Sequence, residues 1–107
     1  MTTALKATEA IKEKQKATEK LQPPAKYAVI LHNDDYTTME FVVDVLQRFF
    51  QKNLQEAEEI MLKVHNNGEG IAGIYPYEIA EMRVLQTEEY AYEHSQPLQV
   101  SLRKIED

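Results

Sequence analysis

The stretch YAVILHNDDYTTMEFV, residues 27–42, decides how the rest of the chain is read, because a strand pattern gives way to a helix pattern inside it. Tyr27 to Leu31 is a short aromatic and branched apolar run, the signature of a buried strand. Thr37, with Glu40 three residues on, predicts a capping box in which hydroxyl and carboxylate each satisfy an orphan backbone donor at a helix start. Tyr36 and Phe41 occupy the two positions of a hydrophobic staple, which would set the angle at which the chain enters that helix. Between the two elements lie His32, Asn33, Asp34 and Asp35. An amide and two carboxylates in one turn suit a cationic or donor-rich ligand.

Outward from this junction, Met39, Val42, Val43, Leu46, Phe49 and Phe50 recur at helical spacing, with Asp44, Gln47, Arg48 and Gln51 on the opposite face. A second helix is expected from Asn53, with Glu56 three residues on; it buries Ala57, Ile60, Met61 and Val64 and stops near Gly68. Gly70 to Tyr75 reads as a short strand, and Pro76 to about His94 as a long third helix with Ala80, Val84, Thr87 and Ala91 on one stripe. Pro97 opens a last strand, in which Leu98, Val100 and Leu102 alternate with Gln99, Ser101 and Arg103. The order strand, helix, helix, strand, helix, strand predicts a small sheet covered by helices. The first two helices would form a hairpin that brings Met61, Val64 and His65 near the first helix and its polar turn.

Residues 1–22 hold only Leu5, Ile11 and Leu21 as large branched aliphatic side chains, too few for a continuous buried face, and Pro23 and Pro24 break any helix there. Residues 1–25 are therefore expected to be a flexible extension and residues 26–107 one domain. The extension carries five lysines against three glutamates, and the remaining 82 residues carry seven basic against fifteen acidic side chains. A domain at minus eight, with no basic stripe, is a poor match for nucleic acid and a better one for a cationic ligand or the basic patch of a partner. No apolar run approaches the roughly 20 residues a bilayer requires, so no membrane association is expected. There is no cysteine, which removes disulfides, thiol catalysis and thiolate zinc sites together. No secretory h-region is present, and Glu9, Glu13 and Glu19 argue against a transit peptide. An unprocessed cytoplasmic chain is the expectation, or a stromal one if the source bears plastids.

Asn and Asp are common turn residues, since their side chains bond nearby backbone groups. Three in succession exceed what a turn requires when Thr37 already caps the helix, so at least one carboxylate is expected to be spare. His65, at the end of the second helix, either interacts with the helix dipole or faces the turn and bonds a ligand. Met39 and Met61 are core filler or the adaptable wall of a pocket. Enzyme readings fare poorly. Adjacent carboxylates do not flank a scissile bond as paired acids must, the Asn-Asp-Asp run lacks the alternate spacing and glycine of a calcium loop, and Gly68-Glu69-Gly70 is too short to cradle phosphate. A binding module without catalysis, metal or cofactor is the better reading.

Asn33, Asp34, Asp35, Tyr36 and Thr37, then Met39, Glu40, Phe41 and Val42, together with Ile60, Met61, Leu62, Val64 and His65 and the later Glu78, Ile79, Ala80 and Glu81, resemble the ClpS family. Its members are adaptors that deliver N-degron substrates to a Clp unfoldase and protease. The resemblance runs from Pro23 to about Leu102. It implies an α+β fold, a three-stranded antiparallel sheet with three helices, and a ligand that is the free N-terminus of a protein beginning with Leu, Phe, Tyr or Trp. It further implies that Asn33, His65 and a carboxylate, Asp35 in preference to Asp34, hold the α-ammonium and first peptide group. Thr37, Met39, Val42, Met61, Val64 and Leu98 would form the side-chain pocket, with Met39 as the gate that excludes Val and Ile. Glu78 and Arg83 match positions that dock on the N-domain of a Clp-type AAA+ unfoldase, although position 83 is commonly lysine in the family. The other departure is Thr38, where the family usually has proline at the first helical position. The extension resembles the arm presented to the unfoldase during hand-over, and a monomer is expected. Two rivals remain: an interaction domain of ribosomal-stalk-like fold, and a metal-dependent hydrolase built on Asp34, Asp35 and His65.

Overall fold

The computed structural model describes residues 24–106, so all but the last two residues of the expected extension lie outside the described residues. The elements are β1 (Lys26–His32), α1 (Met39–Phe49), α2 (Leu54–Asn67), β2 (Glu69–Pro76), α3 (Tyr77–Glu93) and β3 (Gln99–Ile105). The three strands form one antiparallel sheet in the order β2-β1-β3. The small sheet covered by helices read from the pattern is adopted, in the α+β, three-stranded antiparallel form that the resemblance implies.

β1 is central because its sequence tolerates nothing else: Ala28, Val29, Ile30 and Leu31 are successive apolar residues, each at most 2% exposed. A strand that is apolar on both faces must be covered on both. Val29 and Leu31 face the helices, in one cluster with Val42, Val45, Leu46, Ala57, Val64, Ala80 and Ala91. Each fully buried Val, Leu or Ile contributes about 1.5–3 kcal/mol. On β2 the register slips between the partners of Val29 and Ile30, leaving Ala72 as the extra residue of a bulge, fully buried. Among the described residues no helix is long and apolar enough to cross a membrane.

The start of α1 differs from the expectation by one residue. Thr38, not Thr37, is the N-cap: its backbone is extended and its Oγ1 accepts the Phe41 N–H at 3.1 Å. Thr37 is unavailable because its hydroxyl is spent on Asp34. The expected staple is absent too, since Tyr36 is 81% exposed, and Phe41 instead stacks on Tyr90 with centroids 5.3 Å apart. α2 starts as its sequence requires. Asn53 and Glu56 close a full capping box, with the Glu56 N–H donating to Asn53 Oδ1 at 2.8 Å and the Asn53 N–H to Glu56 Oε1 at 3.0 Å. It ends at Gly68, whose φ of 89° is the left-handed conformation that a glycine cap adopts without steric cost. α3 buries Ala80, Thr87 and Ala91 as its stripe predicted, and Thr87 satisfies its hydroxyl by donating to the Arg83 carbonyl at 2.8 Å.

Candidate functional site

The polar turn is built around one carboxylate. Asp34 accepts the Tyr36 N–H at 2.8 Å and the Thr37 N–H at 2.6 Å on one oxygen, and the Thr37 hydroxyl at 2.6 Å on the other. Partial burial alone would raise its pKa, but the bonds from Thr37 and Tyr36 together hold it below the ordinary carboxylate value. Asp34 is therefore turn architecture. Its neighbour Asp35 is exposed and makes no hydrogen bond or ion pair among the described residues, so it is the spare acceptor.

Two further features bring this turn against α2. The Asn33 N–H donates to the Gly68 carbonyl at 2.9 Å, extending the β1–β2 ladder past its last pair and fixing Asn33 beside the end of α2, where His65 stands in the last turn. Gly70 lets β2 approach α2 closely, since a Cβ there would fall 2.8 Å from Cγ2 of Val64. The result is a cavity of about 290 Å³ lined by Asn33, Asp34, Asp35, Thr37, Met39, Val42, Met61, Val64 and His65. Its mouth and its floor differ in character. Asn33, Asp35 and His65 are exposed at the polar end, whereas Val42 and Val64 are buried.

Nine of the ten pocket residues expected from the sequence thus surround one cavity. Leu98 does not: it is 6% exposed, immediately before β3, and packs in the core cluster that holds Val42 and Val64. Glu78 and Arg83 lie elsewhere, on α3. Glu78 is exposed, but Arg83 is half-buried, with one terminal nitrogen donating to Gln86 at 2.9 Å and its Nε enclosed without a partner. The hydrolase reading needed Asp34, Asp35 and His65 to converge on an ion, and no such group of three His, Cys, Asp or Glu residues occurs among the described residues.

One contact was not legible in the sequence. The Thr38 N–H donates to Oε1 of Gln96 at 3.1 Å, across 58 positions, tying the start of α1 to the segment before β3. Thr38 is thus the N-cap, outside the helix proper, and it uses an N–H that a proline would lack. That bond provides a tether of about 0.5–1.5 kcal/mol.

Fold and site together define a small α+β binding module, with hydrogen-bond acceptors at the mouth of a pocket and an apolar floor within it. Residues 22–101 match the family model for ATP-dependent Clp protease adaptor protein ClpS. The ATP-dependent Clp protease adapter protein ClpS of Shewanella loihica is 51% identical over 90 residues, covering 84% of this chain and 88% of that protein. Its counterpart in Shewanella denitrificans is 50% identical over 91 residues, covering 85% and 89%. Among solved structures, Agrobacterium tumefaciens ClpS2 bound to L-phenylalaninamide superposes with a TM-score of 0.74 at 29% identity, covering 77% of this chain and 99% of that one. The chain belongs to the ClpS family of Clp protease adaptors.

Proposed function

We propose that the cavity binds the free N-terminus of proteins beginning with Leu, Phe, Tyr or Trp, and that the chain delivers them to a Clp-type AAA+ unfoldase. The observation that carries this reading is the division of one cavity into an acceptor-rich mouth and an apolar floor. An α-ammonium brings a charge and three donors, and Asp35, Asn33 and His65 offer acceptors for them, with Asp34 holding the turn in shape. Thr37, Met39, Val42, Met61 and Val64 would surround the first side chain, with Leu98 in the core cluster that holds the two valines. L-phenylalaninamide, the ligand of the Agrobacterium relative, carries the same pair of features, a free amine beside a large side chain.

Two or three charge-assisted bonds at roughly 1.5–3 kcal/mol each, plus roughly 1.5–3 kcal/mol for burying a Leu or Phe side chain, give about 4.5–12 kcal/mol, and the upper part of that range reaches the roughly 8 kcal/mol of a micromolar complex once ordering costs are subtracted. Neither half suffices alone, so the site reads both at once. Labelled peptides beginning with Leu, Phe, Tyr or Trp should bind, and N-acetylated forms or peptides beginning with Val should not. Equal binding of all forms would sink the reading.

Met39, 45% exposed at the first turn of α1, lines the cavity, and the family resemblance assigns it the gate against a ligand branched at its β-carbon. Met39→Ala should admit peptides beginning with Val and Ile, raising their affinity at least tenfold while changing that for Leu by less than threefold; unchanged selectivity would remove the gate role. For the unfoldase, the proposed docking face is the outer side of α3, where Glu78 stands beside the exposed Ile79 and Met82. Glu78→Lys should weaken binding to the unfoldase N-domain about tenfold in a pull-down titration and leave peptide affinity as it was. Arg83 would join that face only by leaving its bond to Gln86. The delivery role of residues 1–25 is proposed on the family resemblance, and truncating residues 1–20 should spare peptide binding while slowing degradation.

A further inference from the structure

The walls of the pocket are unequal in stiffness. Val42 and Val64 are branched at the β-carbon and 5% and 2% exposed, and the Thr37 hydroxyl is held by Asp34 at 2.6 Å. None of these can retreat without disturbing the core or the turn. Met39 and Met61 differ: each is unbranched, with three rotatable bonds, and neither is fully buried. Within its apolar part the pocket can therefore widen on one side, the side that the two methionines form.

Behind that side lies a second hollow of about 330 Å³ between α1 and α2, whose walls are Met39, Glu40, Val43, Leu54, Glu58 and Met61. Met39 and Met61 line both spaces and so partition them. The second hollow is almost wholly apolar where the methionines face it, because its two glutamates are exposed while Val43 is half-buried. A thioether displaced into it would exchange one apolar contact for another, with no polar group desolvated.

The geometry points to the α1–α2 hollow as relief space, into which Met39 and Met61 swing when a wide first side chain enters, so that Val43 and Leu54, outside the first cavity, set the upper size limit of the pocket. This rests on the N-degron reading above. A leucine side chain requires little displacement; an indole, broad and rigid, requires the most. Discrimination among accepted N-termini would then be governed from the far side of the partition, whereas exclusion of branched residues is governed by Met39 itself.

Leu54 is the place to test this, since at 55% exposure it can be enlarged without entering the core. Dissociation constants would be measured for three peptides identical except for Leu, Phe or Trp at the first position. Leu54→Trp should weaken the Trp peptide at least tenfold and the Phe peptide less, and leave the Leu peptide within twofold, which also reports an intact fold. Val43→Ile, a one-methylene filling of the same hollow, should act in the same order by about threefold, and Leu54→Ala, which enlarges the hollow, should strengthen the Trp peptide about threefold and leave the Leu peptide within twofold. Variants that shift the three peptides equally, or not at all, overturn the relief role while wild-type binding leaves the N-degron reading standing. A wild-type chain that binds none of the three overturns that reading, and this inference with it.

Discussion

Replacing Asp35 with alanine is expected to cost a peptide beginning with leucine roughly ten- to a hundredfold in affinity and to leave the melting temperature within about 4 °C of wild type. The first figure is the loss of one charge-assisted hydrogen bond of roughly 1.5–3 kcal/mol. The second follows from the surroundings: Asp35 is exposed and bonds nothing among the described residues, and surface substitutions of that kind usually stay within about 0.5 kcal/mol. Fluorescence anisotropy and thermal unfolding would measure the two. A sharper form combines the variant with an acetylated peptide. If Asp35 contacts the α-ammonium, acetylation should be costly for wild type and much less so for Asp35→Ala, because the interaction it removes is already missing. His65→Ala should show the same pattern more weakly, since an imidazole offers a single acceptor without a full charge. A large fall in melting temperature on losing Asp35, with additive effects of acetylation, would return it to a turn-building role.

What could be read from the chain, and what could not, follows the range of the interactions concerned. The four-residue core of β1 and the Asn53–Glu56 box of α2 are local patterns with one good solution each, and both formed as written. The cap of α1 was ambiguous because two successive threonines compete for it. The deciding group, Asp34, claims Thr37 through a bond at three-residue spacing that a capping rule does not weigh. The polar half of the site was visible as a run of acceptors longer than a turn requires. Its apolar half depended on the α1–α2 hairpin, which the element order already suggested and which brought Met61 and Val64 toward the turn, and on the close approach at Gly70, which no local pattern announces; the pocket role of Val64 came from the family resemblance. Leu98 and Arg83 were carried over from the resemblance residue by residue, and the first lies in the core cluster while the second bonds Gln86. The Thr38–Gln96 tether had no sequence signal at all, because nothing in a local pattern pairs positions so far apart.

Asp34→Ala should behave unlike Asp35→Ala in both measurements. The side chain accepts three hydrogen bonds, all within the turn, and removing it leaves two backbone N–H groups and the Thr37 hydroxyl without their acceptor. A loss of about 1.5–3 kcal/mol is expected after allowing for water access at this half-buried site, hence a fall in melting temperature on the order of 10 °C. Peptide affinity should fall as well, because Asn33 and Asp35 flank the residue that shapes their turn. The stability difference also has a pH signature. Hydrogen bonds from Thr37 and Tyr36 outweigh partial burial and depress the folded-state pKa below the ordinary aspartate value, so the stabilisation is complete above the unfolded-state pKa and is lost as pH falls through the lower folded-state pKa. The gap in melting temperature between wild type and Asp34→Ala should therefore stay constant from about pH 7 to about pH 5 and narrow below about pH 4. Taking the gap cancels other carboxylates such as Glu69, held low by its hydrogen bonds from Arg103, which titrate in both proteins. Asp34→Asn, which keeps one acceptor oxygen but no charge, should fall between the two with a gap to Asp34→Ala that does not vary with pH. A wild-type gap that persists unchanged to about pH 2 would mean the turn is held by something other than the ionised carboxylate.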